Sequence, residues 1–162
     1  MTSKTAETEA FRQAYLSQGG AGAADYEVVR FGDTPAIATE LVELVLAGTK
    51  RATASLRSDF ASDEALPRIG GHVVVVDGTG APRCIWRTTE ITVKPLDRVD
   101  ARFAWDGGEG DRTLAGWLAA HHAYFGAQAA REGFEMRDDI ETVFERFEIV
   151  WPPESADGGA RA

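Results

Sequence analysis

The residues best able to do chemistry sit in one stretch, Leu46-Ala47-Gly48-Thr49-Lys50-Arg51-Ala52-Thr53-Ala54-Ser55-Leu56, where an apolar helix gives way to a strand rich in cations and hydroxyls. Strand alternation places Arg51, Thr53 and Ser55 on one side and Ala52, Ala54 and Leu56 on the other. One side is small and apolar; the other can bind and activate a polar substrate. A second stretch, Asp106-Gly107-Gly108-Glu109-Gly110-Asp111-Arg112-Thr113, abuts a helix. Glu109 and Asp111 flank Gly110 and could offer oxygen ligands to a divalent ion, as metal-assisted hydrolysis requires. The competing reading is that Asp111 or Thr113 only caps the helix. A glycine-rich turn at this place can cradle a phosphate, but two carboxylates repel one unless Arg112 or a metal intervenes. His121, one turn beyond Trp117, can orient a base or carry a proton near neutral pH, or simply fill the core. Trp86, Trp105 and Trp117 can stack on unpaired bases or pack internally.

The elements that must position these groups follow from periodicity. Residues 5–18 form a first helix, with Phe11, Ala14 and Tyr15 on one face, ended by Gly19-Gly20-Ala21-Gly22. A strand or extended lead-in covers residues 26–31. Thr34 as cap and Pro35 at the first helical position start a second helix, whose stripe runs from Ile37 through Leu41, Leu44 and Val45. Gly48 ends it, lacking the Cβ that makes the left-handed conformation costly. Residues 59–67 are polar enough for a loop or a turn of helix. His72-Val73-Val74-Val75-Val76-Asp77 reads as a strand buried on both faces, and residues 83–93 return as its hairpin partner. Thr88, Glu90 and Thr92 then share a face, and Pro95 ends the strand. A short helical turn within 97–105, an amphipathic helix from Leu114 past Phe125 and a strand over 142–151 complete the chain.

This order of helix, helix, several strands, helix, strand predicts an α+β fold: a small mixed or antiparallel sheet, closed as a barrel and flanked by helices. Residues 1–24 read as an N-terminal helix and linker, 25–152 as the domain and 153–162 as a disordered tail. At 162 residues the chain suits a single core. Its apolar content of 44% and charged content of 27% are those of a globular protein. No apolar run is long enough to span a membrane and the first residues lack a secretory signal, so the expected compartment is the cytoplasm. The single cysteine, Cys84, fits a reducing interior and reads as a buried, inert thiol. A net charge of -9 argues against broad binding to duplex DNA, which depends on neutralising many phosphates. It leaves room for a confined pocket around Lys50 and Arg51.

Three segments, Gly48 to Leu56, Gly108 to Leu114 with Trp117 and His121, and Glu145-Arg146-Phe147, together resemble the bacterial branch of the ASCH domain family, over roughly residues 35–151. The resemblance implies a PUA-like β-barrel with flanking helices and a role in RNA or modified-nucleoside chemistry. Family members often have glutamate where this chain has Gly107, serine where it has Thr113, and arginine where it has Leu118.

ASCH-like amidohydrolases acting on 4-N-acetylcytidine are similar in using a lysine, a threonine three residues on and a glutamate on a later strand. By that resemblance Lys50, Thr53 and Glu90 become the catalytic set, with Lys50 as base for Thr53 and Glu90 as proton shuttle. Arg51, Ser55, Glu109, Asp111, Arg112, Trp117 and His121 would line the substrate pocket. The expected ligand is single-stranded RNA or a nucleoside or nucleotide. Two hydrolytic reactions compete. Amide hydrolysis on an acylated cytidine needs no cofactor, whereas a ribonuclease could use a divalent metal at Glu109 and Asp111. A third reading, from another class, is a non-catalytic RNA- or nucleotide-binding module with a regulatory role.

Overall fold

The structure, a computed structural model, describes residues 2–21 and 25–158. Helix α1 is Ala6–Ser17, strand β1 Tyr26–Arg30, helix α2 Pro35–Leu46, β2 Ala52–Leu56, β3 His72–Val76, β4 Pro82–Pro95, α3 Ala101–Gly107, α4 Leu114–Glu132 and β5 Glu141–Trp151. The strands form one mixed sheet in the order β1-β3-β4-β5-β2, parallel only between β1 and β3. The predicted barrel is thus a half-barrel: β1 and β2 remain as its two edges, with helices covering the faces. The segment between β2 and β3, expected as a loop or a turn of helix over residues 59–67, carries two short 3₁₀ turns, Arg57–Asp59 and Asp63–Ala65.

Alternation along the strands divides the interior into three packed regions. The inner face brings Val73, Val75, Cys84, Trp86, Phe147 and Ile149 against Val42 and Val45 of α2. The outer face of β1, β3 and β4 offers Val28, Val74, Val76 and Ile85 to Tyr15 of α1, so the N-terminal helix shares the domain's core. On the other half, Ala52, Leu56 and Phe144 pack on Phe103 of α3 and on Trp117 and Phe125 of α4. Helix α2 begins as its sequence requires, the Thr34 side chain accepting from the Ile37 amide and Pro35 occupying the first turn.

Two expectations change. The stretch after Pro152 was expected to be a disordered tail. Its described part instead turns back on the sheet, where Asp157 accepts from the Ile149 amide at 2.9 Å and Ala156 is buried. Residues 159–162, and residues 22–24 of the predicted linker, lie outside the described residues. Strand β4 also does not keep one alternation throughout, because a bulge falls between Thr88 and Glu90. Thr88 pairs with Phe147 and faces inward; Glu90 pairs with Arg146 and faces outward. Among the described residues no helix is long and apolar enough to cross a membrane.

Candidate functional site

Two helix ends meet at the mouth of the half-barrel. Helix α2 stops at Gly48, whose φ of 87° turns the chain so that the Thr49 and Lys50 amides both return to the Leu44 carbonyl, at 3.0 and 3.1 Å. Helix α3 stops at Gly108, also left-handed at φ 73°. A Cβ on Gly108 would stand 2.6 Å from the Thr49 carbonyl oxygen, so only glycine lets the second loop lie against the first. This contact closes a cage around Lys50.

The Lys50 side chain is only 2% exposed. Its Nζ donates to the Ala52 carbonyl at 2.9 Å, the Gly107 carbonyl at 3.2 Å and Glu109 Oε2 at 2.8 Å. All three protons of the ammonium are therefore engaged, and it also lies 5.3 Å from the centre of the Phe31 ring. The expected juxtaposition of Lys50 with the acidic loop is present, as an ion pair.

Strand β2 follows directly and pairs antiparallel with β5, which sets Thr53 opposite Glu145. Directly opposed residues of such a pair project on the same face, so the hydroxyl and the carboxyl share the inner face with Phe147. Glu145 is buried, and its Oε2 accepts from Thr88 Oγ1 at 2.6 Å, which in turn accepts from Trp86 Nε1 at 3.3 Å. Loss of solvent pushes its carboxyl up to about 7, against the lowering effect of the Thr88 and Trp86 donors. Ser55, one step further along the same face, is half-buried opposite Val143.

Glu90 is not part of this cluster. It is 60% exposed and pairs with Arg146 Nε at 3.3 Å on the outer face, where Arg146 also bonds Asp106. The β4 bulge is the cause: strict alternation would have kept Glu90 with Thr88, and the irregularity reverses it. In the sequence Glu145 stands out only within the Glu145-Arg146-Phe147 motif, which does not reveal its burial beneath Thr88 or its place opposite Thr53. The signal was present in its position, a lone carboxylate in the alternating run Val143, Glu145, Phe147, Ile149.

Arg51 also departs from expectation. Its guanidinium grips Asp157 through two bonds of 2.9 Å and donates to the Val45 and Lys50 carbonyls, so it fastens the C-terminal turn to the end of α2. Asp111 accepts from the Thr113 amide and hydroxyl at 2.9 and 2.7 Å, and Thr113 caps α4 by accepting from the Gly116 amide. Hydrogen bonding to Thr113 holds the Asp111 carboxyl below its ordinary range. Of the two carboxylates considered for a metal, one is thus paired with Lys50 and the other serves the helix start. Among the described residues no three His, Cys, Asp or Glu side chains gather as a metal site.

On α4, Trp117 is buried edge-on against Phe103, with His121 stacked on it at 3.7 Å. His121 Nδ1 lies 2.9 Å from the Trp117 carbonyl, which can only accept, so the neutral ring carries its proton on Nδ1 and leaves Nε2 as an acceptor. Burial lowers the affinity of this ring for a second proton, and the charges of Glu109 and Lys50 both reach it. Arg112 lies 3.7 Å over the exposed Trp105 ring and reaches the Thr49 carbonyl at 3.4 Å.

A family model for the ASCH domain matches residues 27–151. An ASCH domain from Lactobacillus crispatus JV V101 has 28% identity and a TM-score of 0.84, the alignment covering 94% of this chain and 99% of that one. A protein of Enterococcus faecalis V583 has 29% identity and a TM-score of 0.80, covering 88% and 87%. No curated protein matches the sequence significantly.

Proposed function

The chain belongs to the ASCH domain family, and from that premise we propose that it hydrolyses an acyl amide on a nucleobase, as in 4-N-acetylcytidine, with Thr53 and Glu145 as its reacting groups. The observation that carries this reading is the register of β2 and β5, which sets a hydroxyl opposite a buried carboxyl held near neutrality. A general base serves best when its pKa lies near the working pH.

In this scheme ionised Glu145 accepts the proton of Thr53 as Thr53 Oγ1 bonds to the acyl carbon. The tetrahedral intermediate collapses with cleavage of the carbon–nitrogen bond, and Glu145 returns the proton to the departing exocyclic amine. Water then attacks the threonine ester, giving the carboxylic acid and free Thr53. Lys50 is assigned the cation's part instead of the base's, since its three protons are already donated. Exchanging Glu109 for the developing oxyanion would supply the charge where the transition state needs it. Ser55 lies on the same face as Thr53, and His121 stands within reach of the Lys50 and Glu109 charges; Trp117 packs on the opposite face, against Phe144.

Phosphodiester cleavage assisted by a metal is the weaker reading, because Glu109 and Asp111 already have partners. The test is release of cytidine and acetate from 4-N-acetylcytidine, with and without chelator. The expected result is release that survives chelation and disappears in Thr53→Ala and Glu145→Gln. Binding without any product would favour a regulatory module, and product formation by Glu145→Gln at the wild-type rate would remove the carboxyl from the scheme.

A further inference from the structure

Beside the Lys50 cage stands an arrangement that the proposed hydrolysis does not use. Trp105, on α3, is 55% exposed, although hydrophobic burial favours hiding an indole. The Arg112 guanidinium covers one part of it at 3.7 Å. More than half of the residue still meets solvent with that cation in place, so the ring offers a flat area for a second planar group.

The stack is held deliberately. Arg112 has φ 62°, a left-handed backbone that a residue with a Cβ adopts only at a cost of roughly 1–2 kcal/mol. Its Nε donates to the Trp105 carbonyl at 2.9 Å, and its Nη2 reaches the Thr49 carbonyl at 3.4 Å. The same loop supplies Glu109 to Lys50. The six-residue connection 108–113 thus links the platform to the cage, with Thr49 and Lys50 adjacent at its foot. Arg102, exposed one helical turn before Trp105, adds a second cation to this side. The nearby carboxylates do not all oppose an anion: Asp106 bonds Arg146 and Glu109 bonds Lys50, while Asp111 remains exposed and ionised.

The geometry points to Trp105 and Arg112 as a stacking platform for an unpaired base neighbouring the one held in the pocket, so that the natural ligand is a single-stranded RNA segment, not a free nucleoside. An aromatic face with a guanidinium beside it is the pairing that holds single strands, the ring taking the base and the cation taking a phosphate or the second face. The net charge of -9 argues against affinity built on many phosphate contacts and favours stacking as the larger contribution. The identity of the reacting base rests on the pocket reading above; the platform itself does not.

The test uses the full chain with two probes, an unmodified single-stranded RNA pentanucleotide centred on cytidine and cytidine monophosphate, titrated by fluorescence anisotropy and calorimetry. The expected result is pentanucleotide binding on the order of tenfold tighter than the monophosphate, with the gain lost in Trp105→Ala, partly kept in Trp105→Phe and reduced in Arg112→Ala. Melting temperatures of the variants verify their fold. The platform is overturned if Trp105→Ala and Trp105→Phe both bind the pentanucleotide as the wild type does, or if the wild type binds both probes equally. Pentanucleotide binding that depends on Trp105, with no monophosphate binding, would uphold the platform and sink the pocket.

Discussion

Glu145 faces Thr53 across the β2–β5 ladder, and its carboxyl is buried beneath the donor hydroxyl of Thr88. Its folded-state pKa is raised from 4.5 to about 7, so between those values the folded protein binds the extra proton. The neutral carboxyl therefore contributes stability that is complete below about 4.5 and is lost as pH rises through about 7. The full difference is about 3 kcal/mol. Glu145→Gln should flatten this part of the profile and raise stability at pH 8 relative to wild type, while abolishing turnover. Chemical denaturation at pH 5 and pH 8 reads the first effect, and a variant whose profile matches wild type would exclude Glu145 as the titrating group.

Lys50 and Glu109 respond unequally to substitution because their burial differs, 2% against 30% side-chain exposure. Lys50→Met leaves the Ala52 and Gly107 carbonyls and the Glu109 carboxylate without their donor. The expected destabilisation is roughly 3–5 kcal/mol. Glu109→Gln keeps an acceptor oxygen and reaches solvent, so its loss should be about 1 kcal/mol. Urea unfolding of the two variants checks the order; equal losses would mean that the cage does not depend on the lysine.

Much of this architecture was legible in the chain itself. The Thr34-Pro35 start of α2, the left-handed stop at Gly48, the buried β3 and the β3–β4 hairpin each follow from local residue chemistry. The meeting of the Lys50 and Glu109 segments followed from family resemblance. What could not be read was the bulge in β4, since residues 88–93 contain no glycine or proline to mark it. That single irregularity moved Glu90 to the outer face and left Glu145 as the inner carboxylate. The tie of Arg51 to Asp157 was illegible for a different reason: the two are 106 positions apart, and alternation says nothing about contacts at that range.

His72 supplies a pH effect of opposite sign. Its side chain is buried, neither ring nitrogen has a hydrogen-bond partner among the described residues, and Tyr15 meets it edge-on with ring centres 5.4 Å apart. Burial first, then the charges of Arg12 and Arg87, lower its pKa below 6.5. Here the unfolded chain binds the extra proton, so stability is present above 6.5 and is lost as pH falls towards the folded value. His72→Phe should remove that acid-side loss. Melting curves between pH 7 and pH 5 provide the check, and an unchanged acid slope would exclude His72 as its source.

Gly108 offers the most direct test of how the cage is held together. Its φ of 73° and the 2.6 Å separation that a Cβ would have from the Thr49 oxygen act independently. The left-handed backbone alone makes Gly108→Ala unfavourable by roughly 1–2 kcal/mol. Relief of the clash requires the 107–109 loop to move off Thr49 and Lys50, which lengthens the Lys50–Glu109 contact and exposes the ammonium. The variant should therefore lose more activity than its modest destabilisation explains. Asn at this position tolerates the left-handed backbone but not the close approach. Gly108→Asn and Gly108→Ala should consequently share the activity loss, and a fully active Gly108→Asn would show that conformation, not contact with Thr49, is what the glycine provides.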